Sequence, residues 1–317
     1  MKMRVAVQMD PIQTVNIDGD TSFALMEEAQ ARGASLWVYQ PEHLSWCEGR
    51  ITARARPVTV RHVRGDHATL GEEVLLDLAE DIDVILMRQD PPFDMAYQTA
   101  AHILEMLEGR TLVLNDPAWV RSSPEKIVPL LFPDLVPPTL ISRDAKAIEA
   151  FRDKHSDIII KPLYGNGGAG VFRLKPGDGN FKALLEMFFE SNREPVVTQA
   201  FLPAVEKGDK RVILIDGEAV GAINRVPLKG ETRSNMHVGG KAEASALDAD
   251  DLRICAAIGP MLKARGLVLV GIDVIGGRLT EINVTSPTGV QELKRFSGID
   301  SCALFWDAVT RRLASPG

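Results

Sequence analysis

The stretch VGIDVIGGRLTEINVTSPT, residues 270–288, decides how the rest of the chain is read. Its apolar and β-branched residues form two short runs on either side of Gly276-Gly277, the pattern of a tight hairpin. Glu281 and Asn283 are two apart and so project from one face of the second strand. Which face Asp273 takes depends on the turn. A plain two-residue turn sends it to the opposite face, whereas an odd-length turn or a one-residue bulge, with Gly277 at positive φ, brings it to theirs. Only the odd register gathers Val270, Ile272, Val274, Ile282 and Val284 on the other side, as a core requires. The apolar pattern therefore places two carboxylates and a carboxamide on one polar face. That set suits Mg²⁺, a hard cation that takes oxygen ligands and shares them with phosphate. A solvated strand face with ordinary acidic residues is the alternative that the hairpin alone leaves open.

A chain of 317 residues exceeds one small core and suggests two or three domains. With 45% hydrophobic and 25% charged residues it has a soluble globular composition. No apolar run spans a bilayer, and MKMRVAVQMD goes straight into a strand without a signal-peptide core, so no membrane partner is expected. Cys47, Cys255 and Cys302 lack the spacing of a disulfide framework or zinc site, which fits a reducing cytoplasm. A net charge of −7 argues against a nucleic-acid partner. Any phosphate site must be a local concentration of Lys, Arg and backbone N–H groups.

The first third alternates strand and helix: strands at 4–8, 35–40, 83–87 and 111–115, with helices from about Thr21 to Gly33 and Asp94 to Glu108. Parallel pairing follows, with ligands beyond the carboxyl ends of the strands. Arg88, Asp90 and the Met9–Asp18 loop lie at such ends and are candidate substrate contacts, loop salt bridges being the other reading. Residues 46–63 are patchy, with Glu48-Gly49-Arg50 as a hairpin turn. Prolines interrupt 115–138, which predicts a hinge with a short helix near Glu125-Lys126 and a domain boundary near residue 120. Strand, helix and strand then lead to a glycine-rich loop, followed by a strand at 171–174, a helix at 180–190 and a strand at 196–201. Strands at 210–215 and 218–225 turn at Asp216-Gly217 and precede a polar, unpatterned segment, PLKGETRSNMHVGGK (227–241). Loops of that length are usually functional or disordered. A helix at 248–264, the hairpin and two further helices complete the chain.

Four glycines fall in the six residues Gly165 to Gly170, directly after Lys161-Pro162. Glycine lets backbone N–H groups converge on an anion, and Lys161 adds positive charge; a mobile hairpin tip is the alternative. Gln199 to Pro203 leaves a strand beside apolar side chains, a combination that suits an adenine ring. Arg211, Arg225 and Arg233 are basic residues suited to phosphate and carboxylate oxygens. Together, metal carboxylates, a glycine loop, an adenine slot and arginines describe a nucleotide-dependent phosphoryl-transfer site.

The stretches DVILMRQDPPFD, DKHSDIIIKPLYGNGGAGVFR, FLPAVEKGDKRV, GETRSNMHVGGK and VGIDVIGGRLTEINVTSPT together resemble the ATP-grasp superfamily, and within it the bacterial, prokaryotic-type glutathione synthetases, over essentially the full length. The resemblance implies an α/β chain, α+β in its C-terminal parts, that clasps ATP between two antiparallel sheets. Residues 1–121 would form an open α/β substrate domain, 122–202 a central lid and 203–317 a catalytic domain. Lys126 and Lys161 would meet the ATP phosphates, with Gly165, Gly167 and Gly168 closing over them. Gln199, Phe201 and Leu202 would hold adenine, and Asp209 the ribose. Asp273, Glu281 and Asn283 would bind Mg²⁺, or Mn²⁺ in its place, with Arg211, Arg225 and Arg233 around the reacting groups. Arg88, Asp90, Asp18, Ser286 and Thr288 would face substrate. The implied reaction condenses γ-glutamylcysteine with glycine through an acyl phosphate, in a homo-oligomer, commonly a tetramer. Some relatives carry an Arg shortly after TSPT; here Gln291 follows, with Lys294 and Arg295 nearby. Two alternatives stay open: a D-alanine–D-alanine or glutamate-tailing type of ligase, and a regulatory module that holds ATP without chemistry.

Overall fold

The computed structural model describes residues 2–165, 167–228 and 239–314. The expected Arg233 and most of the polar segment around it lie outside the described residues. The first sheet contains β1 (Arg4–Gln8), β2 (Ser35–Tyr39), β3 (Leu44–Cys47), β4 (Arg50–Val60), β5 (Ala68–Leu70), β6 (Val74–Asp77), β7 (Val84–Met87) and β8 (Leu112–Leu114). β2, β1, β7 and β8 lie side by side and parallel, as alternation with helices predicts. Helix α1 (Thr21–Ala31) starts where the Asp20 carboxylate accepts the Phe23 N–H, and α2 (Met95–Glu105) starts the same way at Asp94.

Residues 46–63, patchy in sequence, belong to an antiparallel ribbon spanning 44–77 in which β3, β5 and β6 all pair with β4, itself added to β2. β4 does alternate: Ile51, Ala53 and Ala55 are buried while Arg54 and Arg56 face solvent. Alanines at the inward positions gave too little contrast for the period to stand out. A short helix, α3 (Pro117–Arg121), follows β8. The expected helix at Glu125-Lys126 is instead a single turn between Pro124 and a 3₁₀ segment, Val128–Leu131. Pro124 and Pro129 leave no room for more.

The central segment contains β9 (Thr139–Ser142), α4 (Ala145–His155), β10 (Ile158–Pro162), β11 (Phe172–Leu174), α5 (Phe181–Ser191) and β12 (Val196–Ala200). Its four strands pair antiparallel in the order β11-β10-β12-β9. Ile148, Ile158, Ile160, Leu174, Phe181, Leu184, Leu185, Phe188 and Val196 form a core of their own. The last sheet follows the order β15-β14-β13-β16-β17, from β13 (Asp209–Ile215), β14 (Glu218–Val226), β15 (Lys241–Ser245), β16 (Leu269–Ile275) and β17 (Arg278–Asn283). β15 has no strongly apolar residue and escaped the sequence reading; it is an edge strand held by its ladder to β14.

Helix α6 (Ala249–Ala264) buries Ile254, Ile258 and Leu262 in a core shared with Ile272, Val274 and Ile282 of the hairpin and with Ile85, Met87 and Leu104 of the first sheet and α2. Helices α7 (Val290–Ser297) and α8 (Ser301–Ala314) join a second core that holds Ile213 and Ile223 together with Val5, Val7 and Phe23. Both cores thus draw on the two ends of the chain. Trp306 of α8 donates its indole N–H to Leu25 O of α1 at 2.8 Å. Asn115 joins the sheets: its Nδ2 donates to Leu269 O (2.8 Å) and Val284 O (2.7 Å), and its Oδ1 accepts from Leu269 N (2.9 Å). No described helix is long and apolar enough to cross a membrane.

Candidate active site

In the 270–288 hairpin Gly276 and Gly277 both take positive φ (+56° and +73°), the geometry of a two-residue turn that matches strand twist. The odd register comes from the bulge. Asp273 pairs with Glu281 and Val274 with Leu279, so Thr280 is the extra residue. Its hydroxyl donates back to Asp273 O at 3.1 Å. Asp273, Glu281 and Asn283 accordingly share the face opposite Ile272, Val274 and Ile282.

Strand register also brings the cations. Arg211 on β13 lies directly across from Asp273, and Asp209 directly across from Arg225 on β14. Arg211 Nε donates to Asp273 Oδ1 at 2.6 Å, and Arg225 Nη2 reaches Asp273 Oδ1 at 2.9 Å and Asp209 Oδ2 at 2.7 Å. All four side chains are buried. A Cβ on Gly271 would come within 3.0 Å of Arg211 Cδ and Pro287 Cβ, so glycine is what lets Arg211 lie along the strand. Burial pushes the Asp273 carboxyl up, but Arg211 and Arg225 outweigh it and hold it well below the ordinary range. Burial likewise opposes ionisation of Glu281, where Lys126 and Lys161 prevail. Lys161 Nζ stands 3.1 Å and Lys126 Nζ 3.8 Å from Glu281 Oε1, and Lys126 also donates to Gly165 O.

A cleft of about 870 Å³, counting space open to solvent, lies between the central sheet and the last one; Arg211, Arg225 and Asn283 stand behind its lining rather than in it. Lys126, Lys161, Gly165, Gly167, Gly168, Gln199, Phe201, Leu202, Asp209, Asp273 and Glu281 all face it. Gly165 and Gly170 lie against Pro162, where a Cβ on Gly165 would approach Cγ to 2.6 Å; Gly167, Gly168 and Gly170 have positive φ. Gln199 Nε2 donates to Thr139 Oγ1 at 3.0 Å, and the Arg173 guanidinium stacks 3.4 Å from the centroid of Phe201. The apolar wall comes from Ile159, Val171 and Ile275, which the sequence reading did not single out. A signal existed for Ile159, which shares its strand face with Lys161.

Arg88 is buried and donates to Ser22 Oγ (3.0 Å), Pro287 O (3.2 Å) and Thr285 O (3.5 Å), all uncharged oxygens. Burial alone lowers its pKa below the ordinary guanidinium value. Ser286 Oγ donates to Gln89 O at 2.8 Å, and Thr288 O accepts from Arg211 Nη1 at 3.2 Å. Asp90 is exposed, its N–H on Asp10 Oδ2. Asp18 stands apart from the cleft residues, paired with Arg64 (2.6 Å) and His62 (3.3 Å). Gln291 donates to Ile17 O and Asp20 O, both at 2.7 Å, and so ties α7 to the Met9–Asp18 loop. Lys294 and Arg295 are committed to Asp300 and Glu292.

Glu125 was also missed. Its Oε1 accepts the Thr285 hydroxyl at 2.8 Å, and its backbone O accepts the Ile282 N–H at 3.0 Å. Burial first, then the nearby Glu281, raises its pKa. Asn283 Nδ2 is buried and has no hydrogen-bond partner among the described residues, so this donor is left for an acceptor that a ligand would bring. The carboxylate oxygens of Asp273 and Glu281, with the Asn283 carboxamide oxygen on the same face, are the donor types that suit a hard divalent cation.

A family model described as "Prokaryotic glutathione synthetase, N-terminal domain" matches residues 3–121, and another described as "Prokaryotic glutathione synthetase, ATP-grasp domain" matches residues 125–298. The chain is 59% identical over 312 residues to a protein of Brucella melitensis named glutathione synthetase, covering 98% of this chain and 100% of that one. Among solved structures it superposes on D-cycloserine synthetase with a TM-score of 0.69 at 18% identity, covering 98% of this chain and 99% of that one. An ATP-grasp ligase complexed with a minimal precursor gives 0.65 at 19% identity, covering 99% and 100%. These two likenesses bear on the fold alone.

Proposed function

The chain belongs to the prokaryotic glutathione synthetase family and is an ATP-dependent ligase of glutathione synthesis; from that premise we propose the roles of its residues. ATP lies in the 870 Å³ cleft, its adenine against Ile159, Val171 and Ile275 beside the strand end at Gln199, Phe201 and Leu202, its ribose toward Asp209. The polyphosphate runs under Gly165, Gly167 and Gly168 to Lys126 and Lys161. The observation that carries this reading is Glu281, held by both lysines at the floor of the cleft. An arriving polyphosphate competes for those ammonium groups. It leaves Glu281, with Asp273 and Asn283, to hold a divalent cation, Mg²⁺ or Mn²⁺. When bound, that ion neutralises charge on the phosphate oxygens.

A carboxylate is a poor acyl donor because its leaving group would be oxide. The cysteinyl carboxylate of γ-glutamylcysteine takes the γ-phosphoryl group and ADP departs. The glycine amine then forms the C–N bond as the C–O bond to phosphate breaks. No protein nucleophile is needed, only positioning and positive charge. Arg211 and Arg225 supply charge beside the reacting groups, with Arg233 from the polar segment. Arg88, buried among neutral oxygens, is suited to a carboxylate of the donor, with Ser286 and Thr288 beside it. Asp90 lies on the adjoining loop; Asp18 acts through the surface pairs that shape its own loop. Residues 1–121 serve as the substrate domain, 122–202 as the central lid domain and 203–317 as the catalytic domain, with the polar segment 227–241 keeping the acyl phosphate from water. A cytoplasmic homotetramer completes the reading.

The test is ADP release with γ-glutamylcysteine plus glycine, set against D-alanine pairs and glutamate acceptors. Turnover confined to the first pair supports the assignment; turnover only with another pair overturns it.

A further inference from the structure

A second, smaller hollow, of about 350 Å³ counting space open to solvent, adjoins the cleft proposed for ATP and shares Lys126 and Gly165 with it. Phe93, Tyr164, Glu125 and Thr285 line it. Two features mark it as built for a ligand. Ser123 lines the hollow, is 1% exposed, and its hydroxyl has no hydrogen-bond partner among the described residues. Glu125 lines it too, and among the described residues no Lys, Arg or His nitrogen forms an ion pair with its carboxylate, which accepts the neutral Thr285 hydroxyl and feels Lys126 and Arg211 only at longer range. Elsewhere in the site every inward carboxylate is matched by a cation: Asp273 by Arg211 and Arg225, Glu281 by two lysines, Asp209 by Arg225. A carboxylate left over at the reacting end calls for a cation that arrives with substrate.

Resting on the function proposed above, we infer that this hollow receives the amine acceptor, and that Glu125 is the residue that recognises its ammonium group. The donor's carboxylate and the nucleotide are anions and are repelled by Glu125; an ammonium is drawn to it, with Ser123 Oγ free to bond the small acceptor as well. Glu125 thus sorts the two reacting ends by charge, the acceptor's nitrogen from the donor's carboxylate. Phe93 and Tyr164 close the hollow on a short acceptor and exclude a bulky one.

Steady-state kinetics of wild type, Glu125→Gln, Glu125→Asp and Ser123→Ala, with each substrate varied in turn, tests the inference. Glu125→Gln is expected to raise the glycine KM by about tenfold to a hundredfold, the worth of a charged hydrogen bond, and Glu125→Asp by less. The KM for ATP and for γ-glutamylcysteine should hold. Hydroxylamine, largely uncharged at neutral pH, should still trap the acyl phosphate as hydroxamate in Glu125→Gln without glycine. A rise in the γ-glutamylcysteine KM instead would place the donor's own α-ammonium at Glu125 and overturn the assignment. An equal fall in all parameters, hydroxamate included, would make Glu125 merely structural and overturn it too. Should the variants not fold, wild type decides: ethylammonium should compete with glycine and glycolate should not, and the reverse pattern refutes the inference. Absence of hydroxamate from wild type would instead indict the ligase reading itself.

Discussion

Residues 139–200 bury their apolar side chains among themselves, in the cluster around Ile160 and Phe188. The strands before and after that segment do the opposite: Val5 and Ile85 share cores with Ile213 and Ile272 from the far end of the chain. Among the described residues the central segment meets the remainder through the Lys161–Glu281 pair, the Lys126–Gly165 bond and the Phe93–Tyr164 ring contact (centroids 5.9 Å), among others. One part can therefore loosen without the other, and the cleft proposed for ATP lies on the seam. The difference is one of bonding: apolar area joins the two ends of the chain, while charged pairs join the central segment to them.

The largest effect expected is in the body. Arg225→Ala removes the buried guanidinium that bonds both Asp209 and Asp273, leaving Asp273 to Arg211, and should lower the unfolding free energy by about 3–5 kcal/mol in a urea titration. Next come two core truncations of about 3 kcal/mol each. Phe188→Ala should speed amide hydrogen exchange within 139–200 alone, whereas Ile272→Ala should speed it in β1 and β7 as well as β13 and β16. Exchange that spreads from Phe188→Ala into β1 would break the comparison. Smaller still, Tyr164→Ala removes a ring contact worth about 1 kcal/mol and should raise the KM for ATP by roughly fivefold with the body's melting unchanged. The smallest is a gain. Burial and then Glu281 raise the Glu125 pKa, so its ionised form opposes folding at neutral pH. Glu125→Gln should therefore raise Tm by about 2 °C at pH 7. That gain should vanish as pH falls through the raised pKa, where wild type is itself protonated.

The hairpin register was legible because period two leaves only one arrangement that buries Val270, Ile272 and Ile282 together. The glycine loop and its lysine were legible for a similar reason, since the strand–loop–strand order is local. β4 and β15 were not: one hides its alternation in alanines, and the other is fixed by a neighbour's backbone rather than by its own side chains. Asp18 illustrates a different limit. A carboxylate in a loop reads the same whether it meets substrate or Arg64. Glu125 and Ser123 had no pattern to betray them, because the hollow assembles Phe93, Ser123, Tyr164 and Thr285 from four separate stretches. Such juxtaposition exists only after folding.

The bond from Trp306 to Leu25 spans 281 residues. During synthesis from the amino terminus, helix α1 leaves the ribosome long before α8, so the side of α1 that α8 covers stays open while nearly the whole polypeptide is made. The middle third, with its private core, can acquire its shape first. The ribosome thus delivers a finished middle flanked by two halves that must wait for each other, and chaperone demand should fall on the opening segment throughout that delay.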